Sequence, residues 1–237
     1  MTTRTDWDLG LPDMVQAQVA PAAYVAFLEG PAADAHGNVY FTDIINNRIL
    51  RLDTKTGQYV VWRADSGRSN GLLFDPEGRL VACEGNEFGP GGRRRITRTT
   101  VETGEVEILT DQFQGVPYNS PNDLAITSDG RIFFTDPCYG DRTSMFLQHE
   151  SVYRRDPDGL VEFVITQPLI DRPNGIALSP DEQTLYVVDS CPTPNGNRKI
   201  WAFDLTPVGR VQNQRLVCDF APGRGGDGMA VDIEGNL

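Results

Sequence analysis

Short apolar runs of four or five residues, separated by polar turns dense in Asp, Gly and Pro, recur along nearly the whole chain. Val39-Tyr40-Phe41-Thr42, Ile49-Leu50-Arg51-Leu52 and Tyr59-Val60-Val61-Trp62 follow one another, with Asp53-Thr54-Lys55-Thr56-Gly57 as a turn between the last two. The runs are rich in β-branched and aromatic residues, and the turns supply the fixed or positive φ that tight hairpins need, so the pattern predicts strands. Later segments repeat the plan. Ser151–Arg155 leads through Asp156-Pro157-Asp158-Gly159 to Val161–Val164, and Lys199–Phe203 leads toward Arg215–Cys218. No segment combines sustained helical periodicity with capping signals.

A short motif restarts this plan: Glu29-Gly30-Pro31, Asn70-Gly71-Leu72, Asn122-Asp123-Leu124, Asn174-Gly175-Ile176 and Asp227-Gly228-Met229. The intervals are 41 residues from 29 to 70, 52 from 70 to 122, 52 from 122 to 174 and 53 from 174 to 227. A period of about 40–50 residues with several strands per unit is the signature of propeller blades. The expected fold is therefore all-β, a β-propeller over 21–237 behind an N-terminal extension over 1–20. The chain reaches Leu237 within a fifth unit, which leads to the expectation of about four and a fraction blades, a C-terminally truncated ring with exposed sheet edges.

Innermost propeller strands run beside the central channel, and equivalent positions point into it. Glu29, Asn122, Asn174 and Asp227 are then expected to converge on the axis, with Asn70 as a doubtful fifth member. Two carboxylate and two amide oxygens make a shell suited to Ca²⁺ or Mg²⁺, and less exclusively to Mn²⁺. Zinc usually draws on His or Cys, and neither occurs in the motif. A cation with open positions can polarise a carbonyl, and a neighbouring carboxylate can take a proton from an attacking water. Asp227 is the preferred base over Glu29 because its copy of the motif is the most polar. Tyr118, Asn119, Tyr139 and Arg172 are candidates for a substrate-binding rim, and each could equally be structural. The chain has only two histidines, His36 and His149, and no G-x-S-x-G elbow, so a Ser-His-Asp triad has no support.

Composition narrows the classes. A formal charge of −12 and a pI near 4.6 argue against nucleic acid and anionic membrane as partners. The one basic run, Arg93-Arg94-Arg95, reads as a solvated loop in a Gly-rich stretch. No apolar stretch approaches the ~20 residues a membrane span needs, and the N-terminus lacks a secretory h-region. Cys83, Cys138, Cys191 and Cys218 show no C-x-x-C spacing, so reduced thiols and a cytoplasmic location are expected. Oligomeric state is not legible.

The motifs together resemble the regucalcin (senescence marker protein SMP-30) and gluconolactonase family of six-bladed propellers. The most specific stretch is Asn119-Ser120-Pro121-Asn122-Asp123-Leu124 with Ser128–Pro137, and Tyr139-Gly140 completes what looks like the D-P-x-Y-G signature of bacterial gluconolactonases. Leu28–Pro31, Arg172–Ala177 and Gly226–Met229 match the other family motifs. The resemblance implies that Glu29, Asn174 and Asp227 ligate one divalent cation, usually calcium, with Mg²⁺, Mn²⁺ or Zn²⁺ as alternatives. It implies that Asn122 is a fourth ligand or a substrate contact, and that Asp227 doubles as the general base. The implied activity is metal-dependent opening of a small-molecule sugar lactone. Alternatives are a phosphotriesterase of the diisopropyl fluorophosphatase type and a calcium-binding propeller without catalysis. Cys138 and the Pro194-Asn195-Gly196 loop depart from the family pattern and bear on the substrate pocket more than on the metal shell.

Overall fold

A computed structural model describes residues 26–87 and 91–237; the expected 1–20 extension and the propeller boundary at 21 lie outside these residues. The strands form four antiparallel four-stranded sheets, each a meander in sequence order. The first holds β1 (Leu28–Ala33), β2 (Val39–Asp43), β3 (Arg48–Asp53) and β4 (Gln58–Ala64). The second holds β5 (Ser69–Phe74), β6 (Leu80–Glu84), β7 (Arg95–Thr99) and β8 (Val106–Thr110), followed by a hairpin of β9 (Gln112–Phe113) and β10 (Val116–Pro117). The third holds β11 (Leu124–Ile126), β12 (Ile132–Asp136), β13 (Ser151–Arg155) and β14 (Val161–Ile165). The fourth holds β15 (Pro173–Leu178), β16 (Thr184–Ser190), β17 (Arg198–Leu205) and β18 (Val211–Asp219). Each sheet is one blade, and the first four motif copies open or directly precede its first strand.

The hairpins between first and second strands share one device. Asp34 Oδ1 accepts the backbone N–H groups of His36 and Asn38, both at 2.9 Å, and Gly37 takes φ +84°. Asp232 repeats it with Glu234 (2.9 Å) and Asn236 (2.8 Å), so the fifth unit starts as the others do. Among the described residues that unit contributes a turn and no strand.

Period-two alternation places the core between blades. Tyr40 and Ile49 of the first blade pack with Leu72 and Leu80 of the second. On the opposite face of the second blade, Val81 and Ile96 meet Phe134 and Tyr153 of the third. Phe133 and Val152 then turn the other way, against Ile176, Leu185 and Phe203 of the fourth. Tyr118 belongs to this core and not to a rim. It is fully buried, stands edge-on to Phe134 at 5.2 Å, and shares a 2.8 Å hydrogen bond with Thr110 Oγ1. The basic run is not a solvated loop either. Arg95 opens β7 and pairs with buried Glu84 at 2.7 Å, and Arg94 donates to the carbonyls of Tyr118 and Asn119. Arg95 thus braces its own blade, and Arg94 ties the second blade to the segment entering the third.

At the axis the first strands stand unusually close. β1 packs beside β5, β5 beside β11, and β11 beside β15. The Gly71 N–H donates to the Asn122 carbonyl (2.6 Å), and the Gly175 N–H donates to the Asp227 carbonyl (3.2 Å). A Cβ on Gly71 would lie 2.7 Å from Asn122 O. Cβ atoms on Gly30 and Gly175 would come closer still to Asn70 O and Asp227 O. The motif glycine is thus fixed by the neighbouring strand, whose backbone leaves no room for a side chain. Where the third copy has Asp123 in place of Gly, its Oδ2 accepts the Ile176 N–H at 3.1 Å and serves as the link. The pairing of first and second strands shifts register across the motif in three blades, between Glu29 and Ala32, Ser69 and Leu72, and Pro173 and Ile176. Such bulges re-aim the side chains they carry.

A buried carboxylate stands at or next to the end of each second strand, and in three blades it accepts backbone N–H groups of the segment entering the motif. Asp136 takes the Asn119 and Ser120 N–H groups at 2.8 and 2.6 Å, and Asp189 takes those of Asp171 and Arg172 at 3.0 and 2.9 Å. Asp43 accepts the Phe27 N–H at 3.4 Å, two residues before Glu29. In the second blade Glu84 holds the equivalent place and binds Arg95 and Thr97. Burial pushes the Asp136 carboxyl up to about 7, against the two N–H donors and the Arg94 charge.

Gly71→Ala and Gly175→Ala each lower unfolding free energy by roughly 2–3 kcal/mol, because the clash is with backbone, as urea denaturation will show. Gly140→Ala, whose Cβ among the described residues meets Glu87 Cγ at 3.9 Å and Glu87 Cα at 4.0 Å, both ordinary contacts, stays near wild type. Asp136→Asn and Asp189→Asn each cost about 2–3 kcal/mol by the same measurement, since an amide N–H is then turned toward a backbone N–H.

Candidate functional site

Glu29, Asn122, Asn174 and Asp227 come together at one end of the axis, lining a cavity of about 550 Å³. Asn70 lines it too, so all five motif positions share one neck. The same five residues also line a second cavity of about 600 Å³ on the far side, whose walls include Leu72, Leu124, Ile176 and Met229. One side of the neck is polar and the other largely apolar.

The side chains are held to different degrees. Asn174 is 8% exposed, and its Nδ2 donates to Tyr139 Oη at 3.1 Å, while that hydroxyl donates to the Ser190 carbonyl at 3.1 Å. This fixes the amide plane and leaves Oδ1 without a hydrogen bond among the described residues. Asn122 is 6% exposed, and its side chain has no hydrogen bond among the described residues. Its amide atoms are not among the fully buried polar atoms that lack a partner, so they open onto the cavity and are accessible to a ligand or water. Asp227 is half-exposed, and its 3.7 Å pair with the exposed Arg224 adds little.

Carboxylates crowd the neck. Burial, and then the charges of Asp227, Asp123 and Glu87, push Glu29 up to about 7. Burial likewise pushes Asp123 up to about 6, against the N–H groups of Leu124 and Ile176. Glu87 is raised by burial as well, against the Tyr139 N–H and the Arg172 charge and with the Asp227 charge adding to the rise. A bound divalent cation would remove this mutual repulsion, and the two carboxylates and two amides are a donor set for a hard, oxygen-preferring ion. Among the described residues no three His, Cys, Asp or Glu side chains cluster as a metal site. The set here has only two carboxylates, with amides making up the rest.

Of the expected substrate-binding residues, Asn122 and Tyr139 line the cavity and Asn119 and Arg172 do not. Asn119 is buried behind it with both amide ends engaged, Nδ2 on the His149 carbonyl (2.9 Å) and Oδ1 on the Leu147 N–H (3.2 Å). Arg172 is buried too. It pairs with Glu150 at 2.8 Å and lies 5.3 Å from the Tyr139 ring centroid, supporting that ring from outside the cavity. Both are support for the site, since neither presents a free polar group to it.

Sequence reasoning missed the carboxylates that clip the site, although a signal existed. Asp43, Glu84 and Asp136 follow Glu29, Asn70 and Asn122 by 14 residues, and Asp189 follows Asn174 by 15. Glu87 was missed because its place in the repeat carries no shared residue type: three residues after Asp43, Glu84, Asp136 and Asp189 stand Asn46, Glu87, Tyr139 and Pro192.

Comparison with known proteins bears on the family and the fold. Residues 27–237 match the model of the SMP-30/Gluconolactonase/LRE-like region. A gluconolactonase of Zymomonas mobilis is 30% identical over 91% of this chain, and the chain spans 65% of that protein's length. The structure of a gluconolactonase from Xanthomonas campestris superposes with a TM-score of 0.75 at 34% identity, covering 89% of this chain and 68% of the other. A calcium-binding regucalcin from Agrobacterium tumefaciens has the same fold, with a TM-score of 0.69 at 20% identity, covering 90% of this chain and 66% of the other. The repeated motif, the blade architecture and these likenesses together establish that the chain belongs to the SMP-30/gluconolactonase/LRE-like family.

Proposed function

We propose that this protein hydrolyses a sugar lactone, with glucono-1,5-lactone the first substrate to test. The observation that supports it is the meeting of Glu29, Asn122, Asn174 and Asp227 at one polar neck in a chain of this family. Two relatives are gluconolactonases and a third, from Aspergillus oryzae, is a lactonohydrolase. Those four residues would hold one divalent cation, Ca²⁺ in the first instance. When bound, it supplies Lewis-acid polarisation of the lactone carbonyl.

The protein's own groups do the rest. Asp227, half-exposed at the cavity wall, accepts a proton from water as the water oxygen bonds to the carbonyl carbon. The ring C–O bond then breaks, and the proton returned from Asp227 goes to the departing ring oxygen, leaving a hydroxy acid. Tyr139 keeps the Asn174 amide from rotating. Burial pushes the Tyr139 phenol upward, so at neutral pH it stays a neutral donor. Asn122 brings a buried amide with no competing partner, which suits either a ligand or a contact to the substrate.

A pH-stat assay tests the proposal. Glucono-1,5-lactone is expected to be opened in the presence of Ca²⁺, with activity lost on EDTA treatment and restored by added Ca²⁺. Asp227→Asn and Asn174→Ala are expected to reduce kcat/KM by roughly 100-fold or more. Wild-type turnover in either variant would overturn the assignment. Hydrolysis of diisopropyl fluorophosphate with no lactone opened would replace it with a phosphotriesterase.

A further inference from the structure

The polar side of the neck has one carboxylate that the repeat does not account for. Glu87 sits on the loop after β6, and its side chain faces the same cavity as Glu29 and Asp227. It reaches across from the second blade to the third, where its Oε1 accepts the Tyr139 N–H at 3.3 Å. Its Cγ packs against the Tyr139-Gly140 segment, where a Cβ on Gly140 would touch it at 3.9 Å. Oε2 has no hydrogen bond among the described residues.

Glu87 is therefore held by one atom and open at another. Tyr139 ties it to the neck, because the residue whose N–H holds Glu87 also anchors Asn174 through its hydroxyl. The distance from Glu87 to the axial residues is thus set by one rigid side chain. Arg172, whose charge is felt at Glu87, is paired with Glu150 at 2.8 Å, and Arg198 and Arg224 line the same cavity, yet among the described residues none of the three forms an ion pair with Glu87. A partly buried carboxylate with a free oxygen, facing a cavity and lacking a cation of its own, is an acceptor for a hydroxyl donor.

We propose that Glu87 is a specificity-determining residue: its free carboxylate oxygen accepts a hydrogen bond from a ring hydroxyl of a polyhydroxylated lactone bound at the neck. This rests on the lactonase reading and extends it, since it separates sugar lactones from lactones that lack hydroxyls. Losing a hydrogen bond to a charged acceptor weakens binding of the hydroxylated ligand and leaves an unsubstituted ring unaffected.

The test compares wild type with Glu87→Gln, which keeps an oxygen for the Tyr139 N–H, and with Glu87→Ala. Glucono-1,5-lactone and δ-valerolactone are assayed side by side, and binding of gluconate, the unreactive product, is measured by calorimetry. Glu87→Gln is expected to lose about 10-fold in kcat/KM for the sugar lactone, mostly through KM, and Glu87→Ala about 10- to 100-fold. Gluconate affinity is expected to fall in parallel, while δ-valerolactone turnover stays within about twofold of wild type. Equal losses on both lactones would mean a structural brace and overturn the proposal, as would unchanged values on both. If wild type opens neither lactone, the lactonase reading falls and gluconate binding still decides the role of Glu87: affinity that is absent in wild type, or unchanged in Glu87→Gln, overturns it.

Discussion

Everything at the functional end of this molecule depends on how closely the first strands of neighbouring blades approach the axis. The Gly71 and Gly175 N–H groups reach the carbonyls of Asn122 and Asp227, residues that also present their side chains to the neck. One residue thus gives its backbone to the neighbouring blade and its side chain to the cavity. The arrangement works only if the donating residue on the neighbouring blade, Gly71 or Gly175, has no Cβ; between the third and fourth blades the Asp123 side chain makes the link itself. Bulges across the motif let the strand return to its ladder afterwards.

Behind this ring stand the buried carboxylates of the second strands. Asp136 and Asp189 each gather two consecutive N–H groups from the segment entering the motif, and so fix where Asn122 and Asn174 begin. Burying such groups is costly unless donors surround them. The repeated use of the same device in successive blades explains why the neck is rigid while its own carboxylates remain in conflict. Glu29, Asp123 and Glu87 are all raised by burial, with the charge of Asp227 adding to each. That stored repulsion is what a divalent cation would relieve.

The strands and the convergence of motif residues were legible because both depend on local chemistry that repeats. Asp34 and Asp232 make the same turn from the same spacing, and Phe133 and Phe134 show by alternation that both faces of a blade are buried. Asn119, Tyr118 and Arg172 resembled rim residues because polar and aromatic groups beside a motif look alike whether they face a cavity or support it. Only tertiary packing separates them: Asn119 has both amide ends satisfied, while Asn122, three residues on, has neither. Arg94 and Arg95 misled for the opposite reason, since their partners lie on other strands and leave no trace in the local sequence.

If the glycine-pinned neck holds one cation by four oxygens, a crystal grown with Ca²⁺ will show it. One ion is expected on the axis, with oxygens of Glu29, Asn122, Asn174 and Asp227 at about 2.3–2.6 Å and waters completing the shell. An axis without an ion at saturating Ca²⁺, or an ion held by Glu87 in place of the motif residues, would contradict it.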